Sequence, residues 1–255
     1  MATDAADSIG VLDRMTALLE AFDEDDHGLR LSELAARAKL PKSTVSRLVS
    51  TLVRQRYLER NGSVIHLGLR LFELGQLAEQ PRELRASALP VMADLRNRTG
   101  ETVSLAISDG REMVCIALVR GQTSATPTSR IGGRIPTHAT ALGKAVLAFS
   151  DQVDVDVVLS SKLTPWTSHT IIDPERLKSE LSDIRQSGLA VEVGEFVDVA
   201  AAVASPVFSP SGALVGAISA SGHAGAFDPE RSGSSVRAAA VALTRRLAHG
   251  AAAPT

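Results

Sequence analysis

The sequence predicts an α+β protein in three parts: a winged helix-turn-helix domain over residues 1–67, a linker helix over 68–81, and a larger domain over 82–255 with helices packed on an antiparallel or mixed sheet. Three observations predict it. The window LPKSTVSRLVSTLVRQRYLER, Leu40 to Arg60, has helical apolar spacing and holds no acidic residue before Glu59. Directly after it, Asn61-Gly62 sits between two short β-prone runs. From Ala86 onward, helical stretches alternate with paired strand-like runs.

At 255 residues the chain is long enough for two domains. A content of 44% hydrophobic and 22% charged residues is an ordinary soluble composition. No run approaches the roughly 18–20 consecutive apolar residues of a membrane span, and the N-terminus MATDAADS is acidic and polar where a signal peptide is basic and then apolar. A cytoplasmic location with no membrane partner is expected. The single cysteine, Cys115, excludes an intrachain disulfide and a multi-thiolate zinc site. Its neighbours in MVCIALV are apolar, so it is read as a buried, inert thiol.

The net charge of -2 hides a local asymmetry. From Gly28 to Arg70 there are nine Lys/Arg against two acids, whereas from Pro81 to Thr255 there are seventeen of each. Such a distribution is expected when one module meets a polyanion and the other does not. The acidic run Asp23 to Asp26, just before the basic segment, is read as a solvated loop.

The elements follow in order. Ser8 to Phe22 carries a wide apolar helical face that includes Val11, Leu12, Met15, Leu18, Leu19 and Phe22. Ser32 to Ala38 reads as a short helix with Ser32 as N-cap. Pro41 suits the first position of a third helix, where its missing amide hydrogen is no loss. In that helix Val45, Leu48, Val49, Leu52 and Val53 form the inward stripe. The opposite stripe is Ser43, Ser46, Arg47, Ser50 and Arg54, with Lys42 and Thr44 beside it. A solvated helix face normally mixes Glu with Lys for i,i+4 pairs; this one holds only hydroxyls and positive charge. Asn61-Gly62 predicts a type I′ hairpin turn. A linker helix then runs until Pro81 interrupts it.

In the larger domain Ala86 to Arg98 reads as a helix with Leu89, Met92 and Leu95 on one face. Thr102 to Ser108 and Met113 to Val119 form a hairpin about Asp109-Gly110. A loop with Gly132-Gly133 leads into a helix over Thr137 to Phe149. Asp173-Pro174 opens a helix reaching about Gln186 and ended by Gly188. Val203 to Phe208 and Ala213 to Ser221 are strands around Ser209-Pro210-Ser211-Gly212. A last helix after Asp228-Pro229 turns Val236, Ala240, Leu243 and Leu247 inward.

The segments LRLSELAARAKLPKSTVSRLVSTLVRQRYLER, HLGLRLFELG, SRIGGRIPTHATALGKAVLAF, GLAVEVGEF and ISASG, in that order, closely resemble the isocitrate-lyase-regulator (IclR) type of bacterial transcription factor. The resemblance implies a winged helix-turn-helix that binds double-stranded operator DNA, a linker helix involved in dimer contacts, and a GAF-like C-terminal domain that binds a small metabolite effector. It also implies homodimers, or homotetramers built as pairs of dimers, regulating a metabolic operon. With it, Lys42, Ser43, Thr44, Ser46, Arg47 and Ser50 are assigned to the major groove and its flanking phosphates. Arg47 is a candidate for a bidentate contact to guanine or for a phosphate contact. Arg60 and Asn61, at the hairpin tip, either reach the minor groove or backbone or form a plain exposed turn. Tyr57 is the only aromatic in the basic region, which argues against single-strand recognition by stacking.

For the effector, the resemblance points to Thr140, Ala141, Leu142 and Gly143, then Glu192, Ala202, Ser219 and Ser221. The position commonly Asp in the family is Glu192, and the one often Cys is Ala202. Ser219 and Ser221 share one strand face, as a ligand anchor or as a solvated pair. The segment around Thr140 reads as a helix start with free amides suited to an electron-rich group. Gly143 there costs about 1 kcal/mol relative to Ala, which indicates close packing or ligand approach. Glu192 disfavours an anionic ligand unless protonated or paired, so a neutral ligand with hydrogen-bond donors is expected.

The other classes gain little from the residues. A Walker A pattern would need Gly where His138 stands and Ser or Thr where Ala145 stands, and there is no G-x-G-x-x-G, His-Glu-x-x-His or G-x-S-x-G. No catalytic residue, cofactor or metal is therefore expected; His138 is read as a packed or capping side chain. The alternative function is a small-molecule sensor whose winged helix binds protein instead of DNA.

Overall fold

Residues 10–23, 26–122 and 130–250 are described by a computed structural model of the chain. It divides into two units, one ending at Glu79 and the other beginning at Gln80. Ser8 and Ile9 of the expected first helix, and Glu24 and Asp25 of the acidic run, lie outside the described residues.

In the first unit the order is α1 (Val11–Leu19), β1 (Leu29–Arg30), α2 (Leu31–Arg37), α3 (Lys42–Arg54), β2 (Leu58–Asn61), β3 (Val64–Leu67) and α4 (Leu69–Gly75). The three strands form an antiparallel sheet in the order β1-β3-β2. Leu18, Leu34, Val45, Val49, Leu52, Leu58 and Ile65 are fully buried and make one core. α1 is shorter than its apolar pattern predicts, and Val11 and Leu12 at its start are exposed.

Local chemistry explains the boundaries and corrects several expectations. α2 begins one residue before Ser32: Glu33 Oε2 accepts the Arg30 N–H at 2.6 Å, so the cap comes from the third helical residue reaching back. Pro41 is the N-cap of α3, one position earlier than expected. Both α2 and α3 end in Schellman motifs. Leu40 N–H donates to Ala35 O and Lys39 N–H to Ala36 O; Tyr57 N–H donates to Leu52 O and Arg56 N–H to Val53 O. The left-handed residue of each motif is basic instead of glycine, Lys39 at φ 53° and Arg56 at φ 66°. The acidic run is not wholly solvated, because Asp26 accepts two hydrogen bonds from Arg37 at 2.5 and 2.9 Å.

The wing turn is displaced by one residue from the expected Asn-Gly centre. Asn61 pairs with Val64, so Gly62-Ser63 is the loop, and only Gly62 has positive φ. That matches the II′ pattern, with glycine first, and not type I′. The hairpin at Asp109 repeats the shift: Asp109 pairs with Glu112 around Gly110-Arg111.

The linker expectation is also corrected. α4 ends at Gly75, and a new helix, α5 (Glu79–Thr99), contains Pro81 in its first turn, where no intrahelical hydrogen bond is lost. The helix expected from Ala86 is the later part of α5. Its inward row is Leu84, Ala88, Val91, Met92 and Leu95, whereas Leu89 is largely outward.

The second unit continues with β4 (Thr102–Asp109), β5 (Glu112–Val119), β6 (Arg134–Pro136), α6 (Ala141–Leu147), α7 (Gln152–Leu159), α8 (Pro174–Ser187), β7 (Ala190–Val193), β8 (Ala200–Phe208), β9 (Leu214–His223) and α9 (Pro229–Gly250). The sheet order is β6-β5-β4-β9-β8-β7, and every pairing is antiparallel. α5 and α9 cover one face, sharing a core with Val103, Leu105, Val203 and Ile218. α6, α7 and α8 cover the other, over Ala106, Ala204 and Ala217. The helix expected from Thr137 starts only at Ala141, because Thr140 caps it: its Oγ1 accepts the Gly143 N–H at 3.1 Å.

Two substitutions test these backbone readings. Lys39→Gly removes a side chain from a left-handed position and is expected to stabilise the first unit by about 1 kcal/mol. Gly68→Ala places a Cβ 2.2 Å from the Arg56 carbonyl oxygen and is expected to destabilise it by more than that. Urea unfolding followed by circular dichroism reads both; a Gly68→Ala midpoint at or above that of the native chain contradicts the close-approach reading.

Candidate nucleic-acid interface and ligand cavity

The core stripe of α3 fixes which side chains face out. Lys42, Ser43, Ser46, Arg47, Ser50 and Arg54 are exposed, and Thr44 is half-buried beside them. Among the described residues no carboxylate lies within ion-pair distance of Lys42, Arg47, Arg54 or Arg60. The nearby acid Glu73 pairs with Arg56 and Arg70 instead. Ser50 Oγ donates back to Ser46 O at 2.8 Å, so that hydroxyl keeps only its acceptor capacity for a partner. The first turn of α3 has no acidic residue and no side-chain cap, leaving its leading amides and partial positive charge open to an anion. Arg60 and Asn61 are exposed at the end of β2. The hairpin tip itself is Gly62-Ser63.

In the second unit the antiparallel register builds a row of side chains across the sheet. Thr102 pairs with Ser221, Ser221 with Ala202, and Ala202 with Glu192. Directly paired residues point to the same face, here the face under α6. One row further on, Ser104 pairs with Ser219, and Ser219 with Ala204. The small residues in these rows leave a cavity of about 60 Å³ between the sheet and the start of α6. Thr140, Ala141, Leu142, Glu192, Ala202, Ser219 and Ser221 all line it.

Gly143 does not line the cavity. A Cβ there would stand 2.2 Å from Thr137 O, so backbone packing, and not ligand approach, requires the glycine. Reading the sequence missed Ser104, Ile135, Phe196, Val197, Ala200 and Ala201, which complete the wall. Ser104 was within reach by strand alternation with Thr102; the others come from segments that only the folded chain brings together.

Glu192 anchors the polar end. Its two oxygens accept from Ala141 N–H at 3.2 Å and Phe196 N–H at 3.1 Å. The start of α6 therefore already holds a carboxylate of the protein itself, which corrects the expectation of free amides there. Burial pushes the Glu192 carboxyl up to about 7, against the downward pull of those two amides and of Lys144. Ser104 and Ser219 are nearly buried, yet their hydroxyls make no hydrogen bond among the described residues. Ser221 Oγ makes only a long bond to Thr102 O, 3.4 Å. The cavity thus offers one carboxyl, free hydroxyls and an apolar wall, and no cationic side chain lines it.

Behind the wall lies an ion cluster not foreseen from the sequence. Lys144 is fully buried, and its Nζ donates to Glu180 Oε1 at 2.5 Å and Glu195 Oε1 at 2.6 Å. Its signal was one charge in an otherwise apolar helix; its partners lie 36 and 51 residues away. Burial raises the Glu195 carboxyl, with Lys144 pulling the other way. His138 is buried, its Nε2–H donating to Thr164 O at 3.0 Å, and among the described residues no group of His, Cys, Asp and Glu could hold a metal. Cys115 is buried, its thiol pushed up to about 11 by burial.

A winged helix with a carboxylate-free face, joined in one chain to a domain with a small cavity beside a buried carboxyl and serine hydroxyls, is the arrangement of DNA-binding transcriptional regulators. Family models agree in both units: the IclR helix-turn-helix domain matches residues 11–62, and the C-terminal domain of the bacterial transcriptional regulator IclR matches residues 77–247. The chain belongs to the IclR family of bacterial transcriptional regulators. It is 32% identical to the HTH-type transcriptional regulator XynR of Escherichia coli (strain K12) over 213 residues, 82% of this chain and 84% of that protein. It is also 32% identical to the transcriptional repressor IclR of the same organism over 223 residues, 86% of this chain and 81% of the relative. Among solved structures, an IclR homolog from Microbacterium hydrocarbonoxydans complexed with 4-hydroxybenzoate superposes with a TM-score of 0.87 at 30% identity, covering 94% of this chain and 100% of that one. The two Escherichia coli relatives are named as transcriptional regulators, not enzymes. No helix among the described residues is long and apolar enough to cross a membrane.

The Glu192 environment gives a pH test. The carboxyl titrates at 4.5 when exposed and at about 7 when folded. Between those values the folded chain holds a proton that the unfolded chain releases, so this group's contribution to stability is full below about pH 4.5 and is lost as pH rises toward 7. Thermal unfolding from pH 5 to 8 is expected to shift in favour of Glu192→Gln relative to the native chain, by on the order of 2–3 kcal/mol. Parallel curves for the two proteins would rule this out.

Proposed function

We propose that the protein is a ligand-responsive transcriptional repressor of a metabolic or catabolic operon, acting in the cytoplasm as a dimer or a pair of dimers. α3 lies in the major groove of an approximately palindromic operator, with Lys42, Ser43, Thr44, Ser46, Arg47 and Ser50 toward the DNA and Arg60 and Asn61 toward the flanking backbone or minor groove. The observation that carries this reading is the exposed face of α3, which has hydroxyls and cations and no carboxylate partner. Repression is supported by relatives named as repressors. Self-association is supported by apolar side chains left exposed on α1, on α4 and just after α4, among them Leu12, Phe72 and Leu77.

The effector occupies the cavity under α6 and is a small neutral molecule that donates hydrogen bonds to Glu192 and meets the hydroxyls of Ser104, Ser219 and Ser221. An anion is disfavoured there, because Glu192 already neutralises the start of α6 and no cation lines the wall. Effector binding shifts the population between DNA-competent and incompetent arrangements of the paired winged helices. A ligand that donates to Glu192 favours its ionised form, so binding releases a proton between pH 6 and 8.

Mobility shift with the DNA upstream of the protein's own gene is expected to show binding that weakens steeply with salt and is lost in Arg47→Ala. Loss confined to the specific site means a base contact, and equal loss on any duplex means a phosphate contact. Full specific binding by the variant removes Arg47 from the interface, and no DNA binding at any salt favours a protein-binding winged helix. For the cavity, a thermal-shift screen of neutral metabolites is expected to find a stabiliser whose effect disappears in Ser219→Ala/Ser221→Ala; an undiminished shift puts the ligand elsewhere.

A further inference from the structure

A second, larger groove opens in the C-terminal unit, outside the cavity under α6. The β4–β5 turn forms one side and the segment after α7, Ser161 to Trp166, forms the other. Its volume is about 560 Å³, against about 60 Å³ for the cavity under α6. Its charge is opposite in kind. Arg111 and Lys162 line it, both exposed and neither paired among the described residues. The one carboxylate in the lining, Glu112, accepts a hydrogen bond from Arg134 at 3.1 Å, and the same Arg134 pairs with Asp109.

The groove also presents an aromatic surface. Trp166 lines it and is 51% exposed, a large apolar ring left facing solvent. Its position is held firmly. Thr170 Oγ1 accepts the Trp166 N–H at 3.0 Å and donates to Glu195 O at 2.6 Å, and the indole meets the Phe196 ring edge-on with centroids 5.0 Å apart. The same segment is tied down through His138, whose Nε2–H donates to Thr164 O, and the turn side through Thr137, whose Oγ1 donates to Arg111 O at 2.7 Å. Burial lowers the His138 titration, so the imidazole is neutral at pH 7 and adds no charge of its own.

We propose that this groove is a second ligand site, for a small aromatic carboxylate. The planar Arg111 fork suits a carboxylate, Lys162 adds a second cation, and the fixed Trp166 face takes the ring. The two sites sort ligands by charge: the inner cavity, with Glu192 and no cation, takes a neutral donor, and the groove takes the anion. Phe196 belongs to the wall of the inner cavity and Trp166 to the groove, so one aromatic contact separates the two.

Trp166 is the only tryptophan of the chain, so its emission reports on the groove directly. Titration of the full-length protein with benzoate is expected to change that emission saturably. Arg111→Ala/Lys162→Ala is expected to weaken the apparent affinity about tenfold or more, and Ser219→Ala/Ser221→Ala is expected to leave it within about twofold. Benzyl alcohol, the neutral counterpart, is expected to bind far more weakly at the groove. Three results overturn the proposal: no saturable change with benzoate, a response lost in the serine variant but kept in the Arg111/Lys162 variant, or equal affinity for benzoate and benzyl alcohol in the Trp166 signal. Both substituted cations are exposed, so the double variant is expected to unfold at the native temperature, and a circular dichroism melt checks that any lost response is not lost fold.

Discussion

The ion cluster at Lys144 is the interaction on which the C-terminal unit depends. A fully buried ammonium is held by Glu180 of α8 and by Glu195 of the segment after β7. Burying such a charge is costly, and it is offset only when partners are close and well aligned. Removing one partner from a buried pair typically costs 3–5 kcal/mol, because the other charge is left unpaired. Through Lys144, α6 is therefore locked to two elements at once. Every residue of α6 is buried, so the helix has no solvent face on which to shift. Its start then lies at a fixed height over the sheet, which is what opens the cavity beneath it.

The cavity itself is a product of register. Antiparallel pairing aligns Thr102, Ser221, Ala202 and Glu192 in one row, and Ser104, Ser219 and Ala204 in the next. Alanine and serine between a buried carboxyl and an apolar helix leave space that larger side chains would fill. A slip of one residue in β9 would turn Ser219 and Ser221 toward α5 and α9 and replace them with Ala220 and Ile218. Polar chemistry on this face is thus tied to the pairing that builds the hydrophobic core on the other. The same loop that carries Glu195 also carries Phe196, so the ion cluster, the cavity wall and the aromatic contact with Trp166 belong to one continuous segment.

The N-terminal unit solves a different problem, that of holding cations outward without local neutralisation. Acids are present nearby, yet each is used elsewhere: Glu33 caps α2, Asp26 holds Arg37, and Glu73 holds Arg56 and Arg70. Two basic residues even occupy left-handed positions at helix ends where glycine would be less strained. Electrostatic steering toward a polyanion follows from such a face without any single strong contact.

By itself, the sequence determined what depends on short-range chemistry. The i, i+3, i+4 stripe of α3 defined its outward face, Asp173-Pro174 and Gly188 marked both ends of α8, and alternation put Ser219 and Ser221 on one side of a strand. Boundaries differ where a residue one to three positions away offered a better cap or turn, as at Ser32, Asn61 and Thr137. Pro81 was misread because a proline is harmless in a first turn, and helix pattern alone does not say which turn it occupies. Tertiary structure alone decided that Gly143 serves packing, that Lys144 is an internal ion, and that Phe196 and Ala200 border the same space as Thr140. Those facts rest on partners tens of residues apart in the chain, and local periodicity carries no information about which distant segments will share a face.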